Sequence, residues 1–231
     1  MIKEAILLAG GLGTRLQKAV PDLPKPMAPV NGRPFIEYVL DYLIQHEVTR
    51  FILSVGYKHE AFAKHFANDY KGCSVLFSVE KEPLGTGGGI KKALVLAEAA
   101  EVLVLNADTL FRFDLDGFYL SHKRTNADIT IALRQMKDIK RYGSVEIDED
   151  MRVTGFTEKS GISKPGYING GIYLLKKDIF NELKLPEKFS IEKDFMEVYY
   201  NKLKMGGFPS RGYFLDIGIP EDYEKAQHDL K

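Results

Sequence analysis

Hydrophobic positions along the chain switch between two spacings. Residues 2–8, 50–55, 74–79 and 101–105 are short continuous runs rich in Ile, Leu and Val, which predict strands buried on both faces of a parallel sheet. Between them the period lengthens. From Pro34 onward, Ile36, Val39, Leu40, Leu43 and Ile44 recur at i, i+3, i+4, i+7 and i+8, which predicts a helix with one buried stripe and Pro34 in its first turn. Residues 58–68 predict a second helix, and a glycine-rich stretch at 80–90 opens a third that runs through Ala97. Before these, Pro21, Pro24, Pro26 and Pro29 predict a stiff, extended segment over 20–30 that carries Lys25. Beyond residue 125 the texture changes: 129–133, 143–147, 152–156 and 167–174 read as strands with few helices between them, an antiparallel or mixed extension of the sheet. Ser190 with Glu192 behind it reads as the capped, acidic start of a helix, two short strands fall within 205–215, and a last helix starts at Pro220. Alternating strands and helices predict an α/β fold, a Rossmann-like three-layer sandwich around a mixed, mainly parallel central sheet, as one domain over residues 1–231.

Charge and composition act mostly by exclusion. Thirty-two basic residues balance thirty-two acidic ones, so no global field draws the protein to nucleic acid or to a membrane, and any anion site must be local. A single cysteine, Cys73, excludes an internal disulfide framework and a cysteine-based metal cluster. The N-terminus lacks the features of a signal peptide and no apolar run reaches membrane-spanning length, so a cytoplasmic protein is expected. His46, His59, His65, His122 and His228 lie scattered over predicted helix surfaces without ligand spacing and are expected to carry no role. A homo-oligomer stays open, because one sequence maps no exposed apolar patch.

The candidate chemistry starts in the turn after the first strand, Leu8-Ala9-Gly10-Gly11-Leu12-Gly13-Thr14-Arg15, with Lys25 following. Glycines let backbone approach a ligand, and successive N–H groups in such a turn form a concave anion site, for which phosphate is the obvious occupant. The Walker A pattern fails because Thr14 and Arg15, not Lys, follow Gly13, and the dinucleotide pattern fails because its third glycine would fall on Leu16. An ordinary strand-to-helix turn would account for these residues alone. Two further features fall at the same ends of predicted strands: the loop Glu80-Lys81-Glu82-Pro83-Leu84-Gly85-Thr86 and the turn Asn106-Ala107-Asp108. Open α/β sheets bind ligands at those ends.

Leu8-Ala-Gly-Gly-Leu-Gly-Thr-Arg-Leu16, Pro24-Lys-Pro-Met27, Glu82-Pro-Leu-Gly-Thr86, Asn106-Ala-Asp108, Phe156-Thr-Glu-Lys159, Ile168-Asn-Gly-Gly-Ile-Tyr173 and Phe214-Leu-Asp-Ile-Gly218, in that order, resemble the sugar-1-phosphate nucleotidyltransferases over nearly the whole chain. Within that family the sequence is most similar to D-glycero-α-D-manno-heptose-1-phosphate guanylyltransferases, with mannose-1-phosphate guanylyltransferases next. The resemblance implies a GT-A-like fold with a nucleotide-binding half at 1–125 and a sugar-phosphate half at 126–231, without the C-terminal β-helix domain that many relatives carry. It implies attack by a sugar-1-phosphate oxygen on the α-phosphorus of GTP, giving a GDP-sugar and pyrophosphate for surface polysaccharide or glycoprotein assembly. No protein nucleophile is needed, since positioning and charge neutralisation carry such chemistry. By resemblance, Arg15, Lys25 and Asp108 are catalytic, and Leu8, Ala9, Gly10, Gly11, Gly13, Thr14, Glu80, Pro83, Gly85, Thr86 and Asn106 join them in holding the nucleotide. Tyr142, Gly143, Glu158, Lys159, Asn169, Gly170 and Asp216 are implied for the sugar phosphate, and Asp108 with Asp216 for Mg²⁺. A non-catalytic GDP-sugar sensor is the alternative of another class, and retention of Arg15, Lys25, Asp108 and Asp216 argues against it.

The base follows from hydrogen-bond chemistry. Relatives that use thymidine or uridine nucleotides commonly present a Gln ahead of the second loop, where this chain has Glu80. A carboxylate only accepts, which matches the adjacent N1–H and N2–H₂ donors of guanine and opposes the carbonyl-flanked N3–H of uracil or thymine. GTP is the expected substrate, with Glu82 as the substitute reader.

Overall fold

Side chains of successive strand residues point to opposite faces of a sheet, and the first strand already divides the protein in two. Ala5 and Leu7 enter one apolar core while Ile6 enters the other. The computed structural model describes residues 1–11, 16, 20, 22–140, 142–158 and 161–230. The first half comprises β1 (Glu4–Leu8), β2 (Pro29–Val30), β3 (Arg33–Pro34), α1 (Phe35–Gln45), β4 (Arg50–Val55), α2 (His59–Phe66), β5 (Asp69–Tyr70), β6 (Cys73–Val79), α3 (Gly85–Ala93), β7 (Glu101–Asn106), β8 (Thr109–Phe111) and α4 (Leu115–Thr125). The second comprises β9 (Ile129–Met136), β10 (Ser144–Ile147), β11 (Val153–Thr157), β12 (Gly166–Lys176), a π-helical turn (Ile191–Met196) running into α5 (Glu197–Tyr199), β13 (Met205–Ser210), β14 (Phe214–Asp216) and α6 (Pro220–Asp229).

The large sheet is mixed and parallel at its centre. β7, β1, β4 and β6 run parallel in that order, and β5 closes the edge beside β6. On the other side β12 joins β7 antiparallel, and its length lets it also pair with β9 and β10. The chain runs from β1 outward to β4 and β6, then crosses back to β7 on the far side of β1. That reversal opens a crevice beyond the carboxyl ends of β1 and β7, the usual ligand position in such sheets. Residues of α1, α2, α4 and α6 cover one face, and those of α3 and the 191–196 turn cover the other. No helix among the described residues is long and apolar enough to cross a membrane.

Three expectations need correction. The proline-rich segment 20–30 is not extended throughout: Lys25–Met27 form a single 3₁₀ turn, closed by Ala28 N–H to the Lys25 carbonyl at 3.0 Å. Pro26 costs the turn no hydrogen bond, because first-turn N–H groups have no partner inside a helix. The third helix ends at Ala93 and tightens to a 3₁₀ turn over Leu94–Leu96 rather than continuing as α-helix to Ala97. The histidines do not all lie on surfaces, since His122 is 1% exposed. Its helix, α4, carries too sparse an apolar stripe to stand out, its buried positions being Leu115, Phe118 and His122.

The His122 ring meets the Thr130 hydroxyl through Nδ1 at 2.8 Å, while Nε2 has no hydrogen-bond partner and lies 3.9 Å from Glu101. Burial lowers its pKa; Lys123 and Lys176 act in the same direction, against Glu101 and Asp128. A histidine whose folded-state pKa lies below its unfolded value of about 6.5 contributes stability that is present above that value and lost as pH falls below it. The thermal midpoint is therefore expected to drop between about pH 7 and pH 5, with a component missing in His122→Gln; parallel profiles for the two proteins would refute the assignment.

Candidate active site

A cleft of about 440 Å³ opens at the crevice. Leu8, Ala9, Gly10 and Gly11 bring the end of β1 to it, Asn106 and Asp108 the end of β7, Glu80 the end of β6, and Pro83, Gly85 and Thr86 the start of α3. Lys25 enters from its 3₁₀ turn. Each described residue expected to bind nucleotide thus lines one cleft, while Gly13, Thr14 and Arg15 lie outside the described residues.

At the floor of the cleft Lys25 stands between two carboxylates. Its ammonium is hydrogen-bonded to Asp108 and lies 3.6 Å from Asp216, with the lysine side chain only 11% exposed. The aspartates are far apart in the chain and meet through a ladder: β14 pairs antiparallel with β8 so that Asp216 faces Thr109, and Ile217 N–H bonds to the Asp108 carbonyl at 3.1 Å. Burial first, then the charge of Asp108, push the Asp216 carboxyl above its usual range, against the pull of Lys25 and of the Gly218 N–H. Two like charges this close call for a cation. The oxygen-only donor set suits a hard divalent ion that completes its shell with phosphate and water, and no group of three potential metal ligands occurs among the described residues.

Glu80 is anchored. One carboxylate oxygen accepts from Leu84 N–H at 2.9 Å and the other from the Ser54 hydroxyl at 3.2 Å, beside Gly10 and Gly89, which leave it room. Glu82 is exposed and lies outside this cleft, in a second depression with Lys81, Lys91 and Lys92. The glycines of α3 are needed for contact. Gly85 has φ +75°, and a Cβ there would lie 2.5 Å from the Phe189 carbonyl oxygen, which accepts the N–H groups of Gly87 and Gly88. That carbonyl ties α3 to the segment leading into the 191–196 turn, so Glu192 reaches the cleft.

Of the described residues expected to hold the sugar phosphate, Gly143, Glu158, Asn169 and Gly170 gather on the β10 to β12 side, whereas Asp216 stands on β14 beside Asp108. Asn169 N–H bonds to the Gly143 carbonyl at 2.9 Å, and the Glu158 carboxylate packs against Gly143. The Tyr142 ring meets Phe214 edge-on with centroids 6.0 Å apart. The Gly170-Gly171 pair is a bulge: the β9 pairing shifts register there, Gly171 has φ +70°, and its N–H bonds to Asn169 Oδ1 at 2.9 Å. The bulge thereby orients the Asn169 amide, whose Nδ2 donates to the Tyr173 hydroxyl at 2.8 Å. Lys159 lies outside the described residues. Sequence reasoning missed Glu192, Pro26 and Gly218 as lining residues. Pro26 and Gly218 sat inside quoted motifs, whereas Glu192 read only as the acidic first turn of a helix.

The model of the nucleotidyl transferase family matches residues 4–231. The chain is 49% identical over 228 residues to the D-glycero-alpha-D-manno-heptose 1-phosphate guanylyltransferase of Aneurinibacillus thermoaerophilus, covering 99% of this chain and 98% of the relative. It is 48% identical over 220 residues to the enzyme of the same name from Campylobacter jejuni, covering 95% and 96%. The crystal structure of HddC from Yersinia pseudotuberculosis superposes with a TM-score of 0.89 at 39% identity, covering all of both chains, and HddC complexed with GMP-PN superposes at 0.87. A family model spanning almost every residue, and relatives nearly half identical from end to end, agree with the strand order and the cleft: the chain belongs to the nucleotidyl transferase family.

Proposed function

We propose that this protein transfers GMP from GTP to D-glycero-α-D-manno-heptose 1-phosphate, releasing pyrophosphate and GDP-heptose. The observation that carries this reading is the end-to-end likeness to two heptose 1-phosphate guanylyltransferases. The anchored carboxylate of Glu80, at the end of β6 in the cleft, supports guanine as the base.

The phosphate oxygen of the sugar attacks the α-phosphorus, the bond from that phosphorus to the bridging oxygen breaks, and pyrophosphate leaves with the bond pair. Charge grows on the equatorial and leaving oxygens, and preorganised cations are the main source of catalysis for such a step. Lys25, little exposed and already oriented on the cleft floor, neutralises that charge, and Arg15 together with the backbone N–H groups of the glycine turn holds the leaving pyrophosphate. Asp108 and Asp216 would hold Mg²⁺, which when bound supplies further charge neutralisation at the phosphates. Glu80 accepts N1–H and N2–H₂ of guanine. Glu158, Lys159 and Asn169, with Tyr142, Gly143 and Gly170 around them, position the sugar phosphate.

Incubation with GTP, Mg²⁺ and a panel of sugar 1-phosphates tests the reading through pyrophosphate release. Turnover is expected with the heptose 1-phosphate at a kcat/KM about tenfold or more above that with mannose 1-phosphate, the scale on which a pocket discriminates one extra carbon. A preference for mannose 1-phosphate would replace the sugar assignment, and no pyrophosphate from any sugar would overturn the activity.

A further inference from the structure

We propose that Glu192 is a specificity-determining residue of the cleft, accepting a hydrogen bond from a substrate hydroxyl through its Oε1. The inference rests on the reading of the cleft as a guanylyltransferase site.

The carboxylate is held from one side only. Thr86 Oγ1 accepts Ile191 N–H at 2.9 Å and gives its proton to Glu192 Oε2 at 2.7 Å. Ser190 Oγ accepts the N–H groups of Glu192 and Lys193, each at 3.2 Å, and gives its proton to the same Oε2 at 2.7 Å. A hydroxyl has a single proton, so both hydroxyls are committed donors and Oε2 takes both. Oε1 has no hydrogen-bond partner among the described residues and is not sealed from solvent, while the residue lines the cleft. A carboxylate fastened at one oxygen and open at the other is a preorganised acceptor.

Its surroundings select the donor. Thr86 and Gly85 flank it on the nucleotide side. Tyr173 is fully buried and bonded to Asn169, and burial first, then the charges of Glu192 and Glu158, raise its hydroxyl well above the usual range. Glu192 therefore lines the nucleotide cleft beside Thr86, and its charge is felt at Tyr173, the partner of Asn169. A carboxylate only accepts, so Glu192 has no hydrogen to offer a phosphate oxygen, and the guanine edge is met by Glu80 at the end of β6. The donors that remain are hydroxyls, either of the ribose of GTP or of the ring of the sugar 1-phosphate, and both present the same chemistry.

Glu192→Gln reverses the open atom without disturbing the anchor. The two committed donors hold the amide oxygen where Oε2 stands, which turns the NH₂ group into the cleft and puts a donor where an acceptor was. The experiment measures kcat/KM for the wild type and for Glu192→Gln in two arms. One arm uses GTP, 2′-deoxy-GTP and 3′-deoxy-GTP with the heptose 1-phosphate. The other uses GTP with α-D-mannose 1-phosphate and its 2-, 3- and 4-deoxy-fluoro forms. The wild type is expected to disfavour one analogue by about 10- to 100-fold, and Glu192→Gln to bring that ratio to within about threefold of unity at an unchanged thermal midpoint. The arm in which this happens identifies the hydroxyl. Glu192→Asp, which keeps the charge but loses the reach, is expected to behave likewise and keeps the test decisive if the glutamine variant folds poorly. A merely structural residue would lower rates for all analogues together. Discrimination that persists in both variants overturns the inference alone, whereas a wild type that releases no pyrophosphate overturns the reading beneath it.

Discussion

Replacing Lys25 by alanine is expected to lower kcat by about 10²- to 10³-fold, the usual loss when one preorganised group that stabilises transition-state charge is removed. KM for GTP should change far less, because the interaction strengthens only as charge develops on the phosphates. The expectation follows from where the sequence places the lysine. Pro24 and Pro26 bracket it in a closed 3₁₀ turn, the side chain is mostly buried, and it meets Asp108 and Asp216. The same placement has a consequence that can be read without turnover. Among the described residues Lys25 is the cation paired with both carboxylates, so a divalent ion must share or displace it. Nucleotide-free Lys25→Ala is therefore expected to bind Mn²⁺ more tightly than the wild type, as measured by electron paramagnetic resonance. Undiminished turnover in the variant would remove Lys25 from the mechanism; unchanged Mn²⁺ affinity would separate the lysine from the metal carboxylates.

Glu80→Gln is expected to cut the preference for GTP over UTP, taken as the ratio of kcat/KM values, by about 10²-fold or more, since sites that hydrogen-bond a particular edge reject ligands that leave their polar groups unpaired. The substitution is isosteric. The amide oxygen keeps the Leu84 N–H, and the Ser54 hydroxyl can rotate to accept from the new NH₂, so the loop should keep its shape. Loss of the preference with an unchanged thermal midpoint would assign base reading to Glu80. An unchanged preference in the pyrophosphate assay would move that role elsewhere. Glu82 is a poor replacement, because it faces the depression on the outer side of α3.

Local pattern determined much of this protein. The β-α alternation through residue 106 was legible because β1, β4 and β7 are apolar runs buried on both faces, because β6 is a half-buried apolar run, and because α1 repeats its apolar residues at helical spacing, whereas the two-residue strands β2, β3 and β5 left no such run. The nucleotide side was legible for a related reason: the glycine turn, the Glu80 loop and the Asn106 to Asp108 turn each follow directly from a strand whose end must lie at one edge of the sheet. The roles of those residues came from resemblance, since glycines and an aspartate alone do not name a reaction. Tertiary structure decided what depends on contacts between distant segments. Asp216 reaches Asp108 only through the β8 to β14 ladder, Glu192 reaches the cleft only because the Phe189 carbonyl binds the first turn of α3, and His122 is buried only because α4 packs on β9. None of these leaves a periodic signal, because hydrophobic spacing records which face of an element is covered and not which other element covers it.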